Sequence, residues 1–193
     1  MKSRVTTTKG DRGTTRTLAG DIFPKSHIIL ECTGAVDALR AQTALLRLQM
    51  IHSELPDRQE LAQFLFWLLH TYFLIGTAVN DPTNKHPEYR KDTIGQKHLR
   101  RLEAEQSRLE ATLHLPKAFI VCASTALAAQ ADVTATVARD LERQIVRLNE
   151  AEPVFEVIDI LPFINRLSDY LYVLARHLEH GQHQPVDYSV LEP

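Results

Sequence analysis

A chain of 193 residues with 44% hydrophobic and 24% charged side chains carries enough apolar material for one ordinary globular domain without staples. A formal charge of -2 and a pI near 6.5 exclude the broad positive field that grips a nucleic-acid backbone, so any anionic ligand has to be held by a local cluster. Two cysteines, Cys32 and Cys122, fit neither a paired metal spacing nor a disulfide framework, which points to a reducing, cytoplasmic setting.

Residues 1–26 are rich in Thr, Gly, Lys and Arg, show little apolar periodicity and lack the apolar run of a signal peptide. This composition predicts a loop. Gly10, Gly13 and Gly20 permit backbone conformations that side chains forbid, and the hydroxyls and N–H groups between them are suited to wrapping an anion; a flexible tail has the same composition. No Gly-Lys-Ser/Thr follows at the spacing of a P-loop.

Helical periodicity begins at 30 and runs to 52, with Val36, Leu39, Leu45, Leu46 and Leu48 apolar and Asp37 in the first turns, where the helix dipole favours its charge. Pro56 stops that helix, and Asp57 with Glu60 predicts a capping pair for a second over 58–80, ended by Asn80-Asp81-Pro82. Gln63, His70 and Thr71 interrupt the most hydrophobic run, 61–79, which reads as a buried bundle helix rather than a membrane span. An exposed loop over 81–91 precedes a charged third helix over 92–113, with Ile94, Leu99, Leu102 and Leu109 apolar and Pro116 as its stop.

Phe119-Ile120-Val121-Cys122 is a short run that reads as extended. A fourth helix over 131–149 places Val133, Val137, Leu141, Ile145 and Leu148 on a buried stripe, with Arg139, Glu142 and Arg143 on a polar face whose default is solvation. The fifth helix starts near Asp159 with Pro162 in its first turn, the alternative being a longer helix kinked there. Residues 181–193 read as a tail. Five helices with short connections and no long alternating pattern predict an all-α, five-helix up-and-down bundle in a single domain, 1–193, with the loop at 1–26 and the bundle at 30–178.

Nine histidines form no His-x-x-x-His pair, and His177, His180 and His183 gather only near the end, so no protein-bound catalytic metal is expected. There is no nucleophile elbow and no Cys/His arrangement. What remains is the Thr/Gly-rich start, Asp37, Arg139 with Glu142, and Asn165 with Asp169, four apart on one helix face. Such a polar pair either makes a structural hydrogen bond or lines a ligand cleft.

Together these pieces resemble the PduO-type ATP:corrinoid adenosyltransferases. Lys9-Gly10-Asp11-Arg12-Gly13-Thr14-Thr15 is similar to the family's Thr-Gly-Asp-x-Gly-x-Thr loop, and Pro24-Lys25 to the lysine that follows it. Glu31, Gly34, Val36, Asp37 and Leu39 match its first-helix motif, Phe73, Ile75 and Gly76 its second, and Phe119-Ile120 the start of its Phe-Ile-Leu-Pro-Gly-Gly run. Val137, Arg139, Glu142 and Arg143 look like its arginine-rich helix, and Asn165-Arg166-Leu167-Ser168-Asp169 reproduces its last-helix motif.

The resemblance implies a homotrimer that binds ATP with Mg2+ between subunits and moves the 5'-deoxyadenosyl group to cob(I)alamin, releasing triphosphate, with no nucleic acid or membrane involved. It gives catalytic roles to Arg139, Asp37 and Phe119, the last as an apolar wall below the corrin. It gives nucleotide contacts to Thr8, Lys9, Gly10, Asp11, Gly13, Thr14, Thr15, Lys25, Arg139, Glu142, Asn165 and Asp169, and the magnesium to Glu142.

Three departures stand out. The helix reads Thr134-Ala135-Thr136-Val137-Ala138-Arg139-Asp140-Leu141-Glu142-Arg143, with Ala135 and Asp140 where the family has arginines. The first of those arginines contacts ATP and pairs with the aspartate matched by Asp37, and losing one preorganised group of this kind costs about 3 to 4 kcal/mol. Arg40, three residues after Asp37, is placed to serve as a substitute partner. Phe119-Ile120-Val121-Cys122 lacks the family's Pro-Gly-Gly, and Lys9 adds charge to the phosphate loop where the motif has threonine. A noncatalytic nucleotide- or corrinoid-binding homologue is the alternative favoured by Ala135 and Asp140.

Overall fold

Ile29, Cys32, Val36, Leu39, Thr43, Leu46 and Met50 recur in alternating steps of three and four, and they are the buried face of helix α1, Ile28–Ile51. The structure, a computed structural model, describes residues 6, 8–115 and 117–191. Helix α2, Arg58–Asn80, returns antiparallel to α1, shown by Tyr72 facing Thr43 and by Asn80 Nδ2 donating to Thr33 Oγ1 at 2.9 Å. By length and hydropathy alone α2 is able to cross a membrane, but Leu61, Leu65, Leu68, Tyr72 and Ile75 are wholly buried in the bundle. It is a core helix.

Helix α3, Gln96–Glu110, lies against α2 and runs parallel to α5, Ile160–His177, as the Gln96–Asp159 and Glu103–Arg166 contacts require. Helix α4, Ala126–Ala151, runs antiparallel to α5, with Asp132 beside Arg176 and Glu142 beside Asn165. Helix α1 packs between α2 and α4, α4 packs on α5, and α3 covers α5 from outside. The expected five-helix bundle is present, with Pro162 in the first turn of α5 rather than at a kink.

The differences are local and have physical causes. The N-terminal segment is more than a loop: β1, Thr14–Arg16, pairs antiparallel with β2, Ile22–Pro24, through a turn that Gly20 closes at φ +84°. Helix α3 is shorter than 92–113, because Asp92 turns back to accept from Thr93 N and Lys97 Nζ ahead of the helix; Pro116, the expected stop, lies outside the described residues. Asp57 does not cap α2. Its backbone is not extended, and its carboxylate instead meets His177 Nε2 at 2.9 Å.

Helix α4 starts before residue 131, at Ala126, because Thr125 Oγ1 caps it by accepting from Ala128 N at 3.1 Å. Its buried stripe also differs from the expected one. Leu141, Ile145 and Leu148 are wholly buried, but the first half buries Ala128, Ala131, Thr134, Ala135 and Ala138, leaving Val133 45% exposed. Small side chains let α4 approach its neighbours α1 and α5 closely, so the face is set by helix–helix approach rather than by the larger valines. The final segment is not a free tail either. Strand β4, Gln184–Pro185, pairs with β3, Ile120–Val121, and a short 3₁₀ turn follows at Tyr188–Leu191.

The start of α3 carries a pH dependence. His98 is buried, its Nδ1 accepts from Gly95 N at 3.1 Å, and burial, aided by Lys97 and opposed by Asp92, holds the imidazole below the usual histidine range. A lowered folded pKa means that the folded state binds fewer protons, so this contribution is present above the unfolded value of about 6.5 and is lost as pH falls below it. His98→Gln keeps an acceptor at the same capping position. Thermal denaturation from pH 7 to 5 should therefore show a shallower loss of Tm in that variant than in the native chain, and equal slopes would contradict the assignment.

Candidate functional site

Gly13 N donates to Gly10 O at 3.2 Å and Lys25 N to Gly13 O at 2.9 Å, so the turn before β1 is closed by the residue after β2. Gly13 holds φ +77°, a conformation that favours glycine. A Cβ at Gly10 would stand 3.1 Å from Lys25 Nζ, which places that ammonium directly on the turn. Lys9, Asp11 and Gly13 are exposed and Thr14 and Thr15 are half-buried in β1, while Thr8 sits exposed at φ +56°. Thr8, Lys9, Gly10, Asp11, Gly13, Thr14, Thr15 and Lys25 thus form one continuous surface of backbone N–H groups, hydroxyls and two cations, suited to an anion.

Asn80 anchors this surface to the bundle. Its Oδ1 accepts from Leu18 N while its Nδ2 donates to Thr33 Oγ1, and Lys85 adds an ion pair to Asp21 at 2.5 Å. In the sequence Asn80 reads only as a helix stop, because a bond to a residue 62 positions away leaves no local pattern.

Asp37 stands on the neighbouring exposed face of α1. Arg40 Nη1 donates to its Oδ1 at 2.9 Å, and the Arg40 guanidinium lies 4.0 Å over the Phe73 ring. The substitute partner expected from the sequence is therefore in place. Asp37, Arg40 and Phe73 are shared by two adjoining grooves of about 430 and 220 Å3 between α1 and α2. A further groove of about 670 Å3 lies elsewhere, between α2 and α3, and is lined by none of the expected site residues.

The third cluster is on α4 and α5. Asn165 Nδ2 donates to Glu142 Oε1 at 3.1 Å, fixing the amide across the two helices. Arg139, one turn from Glu142, is exposed and makes no hydrogen bond or ion pair among the described residues. Arg143 instead pairs with Asp140 at 2.9 Å, so the aspartate both removes a cation and occupies its neighbour. Asp169 does not join Asn165: Arg166 holds it at 3.1 Å and also reaches Glu103 at 3.4 Å. Ala135 is 6% exposed, buried in the bundle rather than on the Arg139 surface. Gln130 Nε2 donates to Gln42 Oε1 at 2.7 Å, and the antiparallel course from that bond brings position 135 level with Asp37.

Phe119 is 79% exposed, beside β3 on the chain between α3 and α4. Among the described residues no three His, Cys, Asp or Glu side chains cluster as metal ligands. Burial pushes the Cys32 thiol up to about 12, which leaves it unreactive in the core. The arrangement supplies cations, amides and an exposed ring, which orient and bind. The grooves lined by Asp37 include neither Arg139, Glu142 nor Phe119, so the expected residues form separate clusters on one chain.

A model of the family described as cobalamin adenosyltransferase matches residues 5–178. The chain belongs to the cobalamin adenosyltransferase family. This member is 29% identical over 178 residues to the corrinoid adenosyltransferase PduO of Citrobacter freundii, an alignment covering 92% of this chain and 50% of that one. It is 30% identical over 179 residues to a cobalamin adenosyltransferase of Cupriavidus metallidurans, covering 93% and 90%. The chain therefore spans about half the length of PduO and nearly all of the Cupriavidus relative.

Solved structures agree on the architecture of this adenosyltransferase family member. A phenylalanine-to-histidine variant of the PduO-type ATP:corrinoid adenosyltransferase from Lactobacillus reuteri, complexed with cobalamin and ATP, superposes with a TM-score of 0.82 at 27% identity, covering 96% of each chain. An arginine-to-lysine variant of that enzyme complexed with ATP gives 0.80 at 27%, covering 94% of this chain and 99% of the other.

Proposed function

We propose that this protein is an ATP:corrinoid adenosyltransferase, joining the cobalt of cob(I)alamin to the ribose 5' carbon of ATP as the bond from that carbon to the triphosphate oxygen breaks. The observation that carries the reading is the Glu142–Asn165 bond beside an unengaged Arg139, in a fold that superposes on a protein complexed with both substrates. The electron pair of Co(I) becomes the new cobalt–carbon bond and the pair of the broken carbon–oxygen bond leaves with triphosphate, so the chain need supply no base. Its task is to hold two substrates in line and stabilise the charge that leaves.

In this reading Lys9, Lys25 and the amides of the 8–15 turn take the triphosphate, Arg139 its developing charge, and Asn165 the nucleoside side. Glu142 fits a magnesium held mainly by phosphates, since Mg2+ keeps several waters and takes one or two carboxylates rather than a full protein cage. Phe119 is the apolar face offered to the corrin. The separation of these clusters, together with Leu45 and Leu48 exposed on α1 and Val133 and Val146 on α4, supports a homotrimer with each site completed by a second copy. Free cysteines support a cytoplasmic setting.

A noncatalytic binder is favoured by one observation, the Asp140–Arg143 pair that neutralises the surface beside Arg139. Incubation with chemically reduced cob(I)alamin, ATP and magnesium separates the two. Growth of the adenosylcobalamin spectrum supports the enzyme, and ATP binding without that spectrum supports the binder.

Arg40 gives a finer test. Its ion pair with Asp37 is largely exposed, so Arg40→Ala should change stability by less than about 1 kcal/mol. Activity should fall about 10- to 100-fold, as for other residues that orient a functional group. Ala135→Arg in the Arg40→Ala background should restore part of it, its long stem carrying the charge from this buried position toward Asp37. Additive losses in the double variant would mean that the two positions do not share Asp37.

A further inference from the structure

The carboxylate of Glu179, just beyond α5, is 1% exposed and has both oxygens engaged by different parts of the chain. Oε1 accepts from Ser124 N at 3.0 Å, on the segment that leads into α4. Oε2 receives His183 Nδ1 at 2.8 Å and lies 3.2 Å from Arg176 Nε. Arg176, wholly buried, passes the connection to Asp132 on α4 at 2.6 Å. Immediately after His183 the chain enters β4, which pairs Val121 with Gln184 and Ile120 with Pro185, and Val186 N then donates to Phe119 O at 2.9 Å.

This is an unusual use of buried charge. The two-residue ladder between β3 and β4 is too short to stand alone, and Phe119 at its edge is mostly exposed, so its own side chain contributes little to holding it. The buried carboxylate binds the segments on both sides of that ladder at once, one residue before β4 and three after β3. Desolvating a carboxylate is costly unless its partners are complete, which makes the three-way junction narrow in geometry. His183 Nε2 has no partner among the described residues, so Glu179 is the contact that fixes this ring.

We propose that Glu179 is the positioning residue for Phe119: through Ser124 on one side and His183 on the other, it clamps the returning C-terminal strand onto the 119–121 segment and sets where the exposed ring stands. The consequence for the corrin step rests on the function proposed above, and the clamp itself does not.

Two variants test it by different routes. Glu179→Gln keeps the shape and an acceptor for Ser124 N while removing the charge that holds Arg176 and His183. Val186→Pro leaves the buried junction alone and removes only the N–H that reaches Phe119 O. Hydrogen exchange followed by mass spectrometry should show faster exchange over 119–122 and 184–187 in both, with the α1 and α2 peptides unchanged, and Glu179→Asp should recover part of the protection. In the transfer assay both variants should lose about 10- to 100-fold in kcat/KM for corrinoid, as expected for displacement of a positioned group, with KM for ATP unchanged. Native-like exchange over 119–122 in Glu179→Gln would overturn the clamp. Faster exchange with an unaltered corrinoid kcat/KM would overturn the positioning role. A native protein with no transferase activity would count against the proposed function alone, because the exchange result still decides the clamp. If Glu179→Gln fails to fold, His183→Ala, which removes the ring joining Glu179 to β4, supplies both readouts under the same criteria.

Discussion

Arg139→Ala is expected to lower kcat for adenosyl transfer by about two to three orders of magnitude, the usual loss when one preorganised group facing developing charge is removed. The size follows from how little positive charge the α4 surface retains. Arg143 is paired with Asp140, position 135 is a buried alanine, and Arg139 alone of these keeps a guanidinium without a partner among the described residues. Arg139 is exposed, so the same substitution should leave stability within about 0.5 kcal/mol of native. Loss of activity at constant Tm is therefore the signature.

The division between kcat and KM carries the rest of the test. Removing a group that meets charge appearing on the leaving triphosphate lowers kcat and kcat/KM together, whereas removing one that only binds ATP raises KM and leaves kcat alone. A purely KM effect would remove Arg139 from the transition state and return it to ordinary nucleotide binding. Asp140→Asn provides the opposite perturbation, since it releases Arg143 and deletes a negative charge from the same surface. Inorganic triphosphate should inhibit that variant at lower concentration than the native protein, and unchanged inhibition would mean that Arg143 does not face the phosphates.

The bundle was legible because α1, α2 and α5 bury large side chains at steps of three and four, and Pro162 marks the start of α5 by its tolerance in a first turn. Helix α4 was legible as a helix but not as to which face it buries. Hydrophobic size favours Val133 and Val137, whereas the first half of the helix buries Ala128, Ala131, Ala135 and Ala138, whose value lies in allowing close approach to α1 and α5. The consequence reaches the site: Ala135 is an interior residue as well as a missing cation. Arg139, Glu142 and Asn165 were legible as a cluster through motif order, and the Arg40–Asp37 pair through helical spacing. Asn80, Glu179 and His183 were not, since each acts by joining segments more than 50 residues apart, or by burying a charge in a stretch whose composition looks solvated.

Arg176→Ala should be the most destabilising single change considered, at about 3 to 5 kcal/mol, because it leaves the buried charge of Asp132 and Glu179 without its counterion. In the native chain burial disfavours charge on Arg176, but Asp132 and Glu179 more than offset this and raise its pKa. Asp132 is itself pushed above the usual carboxylate range by burial, with Arg176 pulling it back. Removing the guanidinium removes that restraint, so Asp132 should titrate still higher in the folded variant than in its unfolded chain. A raised folded pKa means that the folded state binds more protons, so the variant should regain stability relative to native as pH falls from neutral toward the unfolded carboxylate range near 4. Urea titrations at pH 7.5 and 5.5 measure this directly. If the stability gap between variant and native does not narrow at the lower pH, the loss comes from the cavity left by the side chain and not from stranded charge. In that case Asp132→Asn in the Arg176→Ala background should also fail to recover stability, whereas a charge origin predicts that it will.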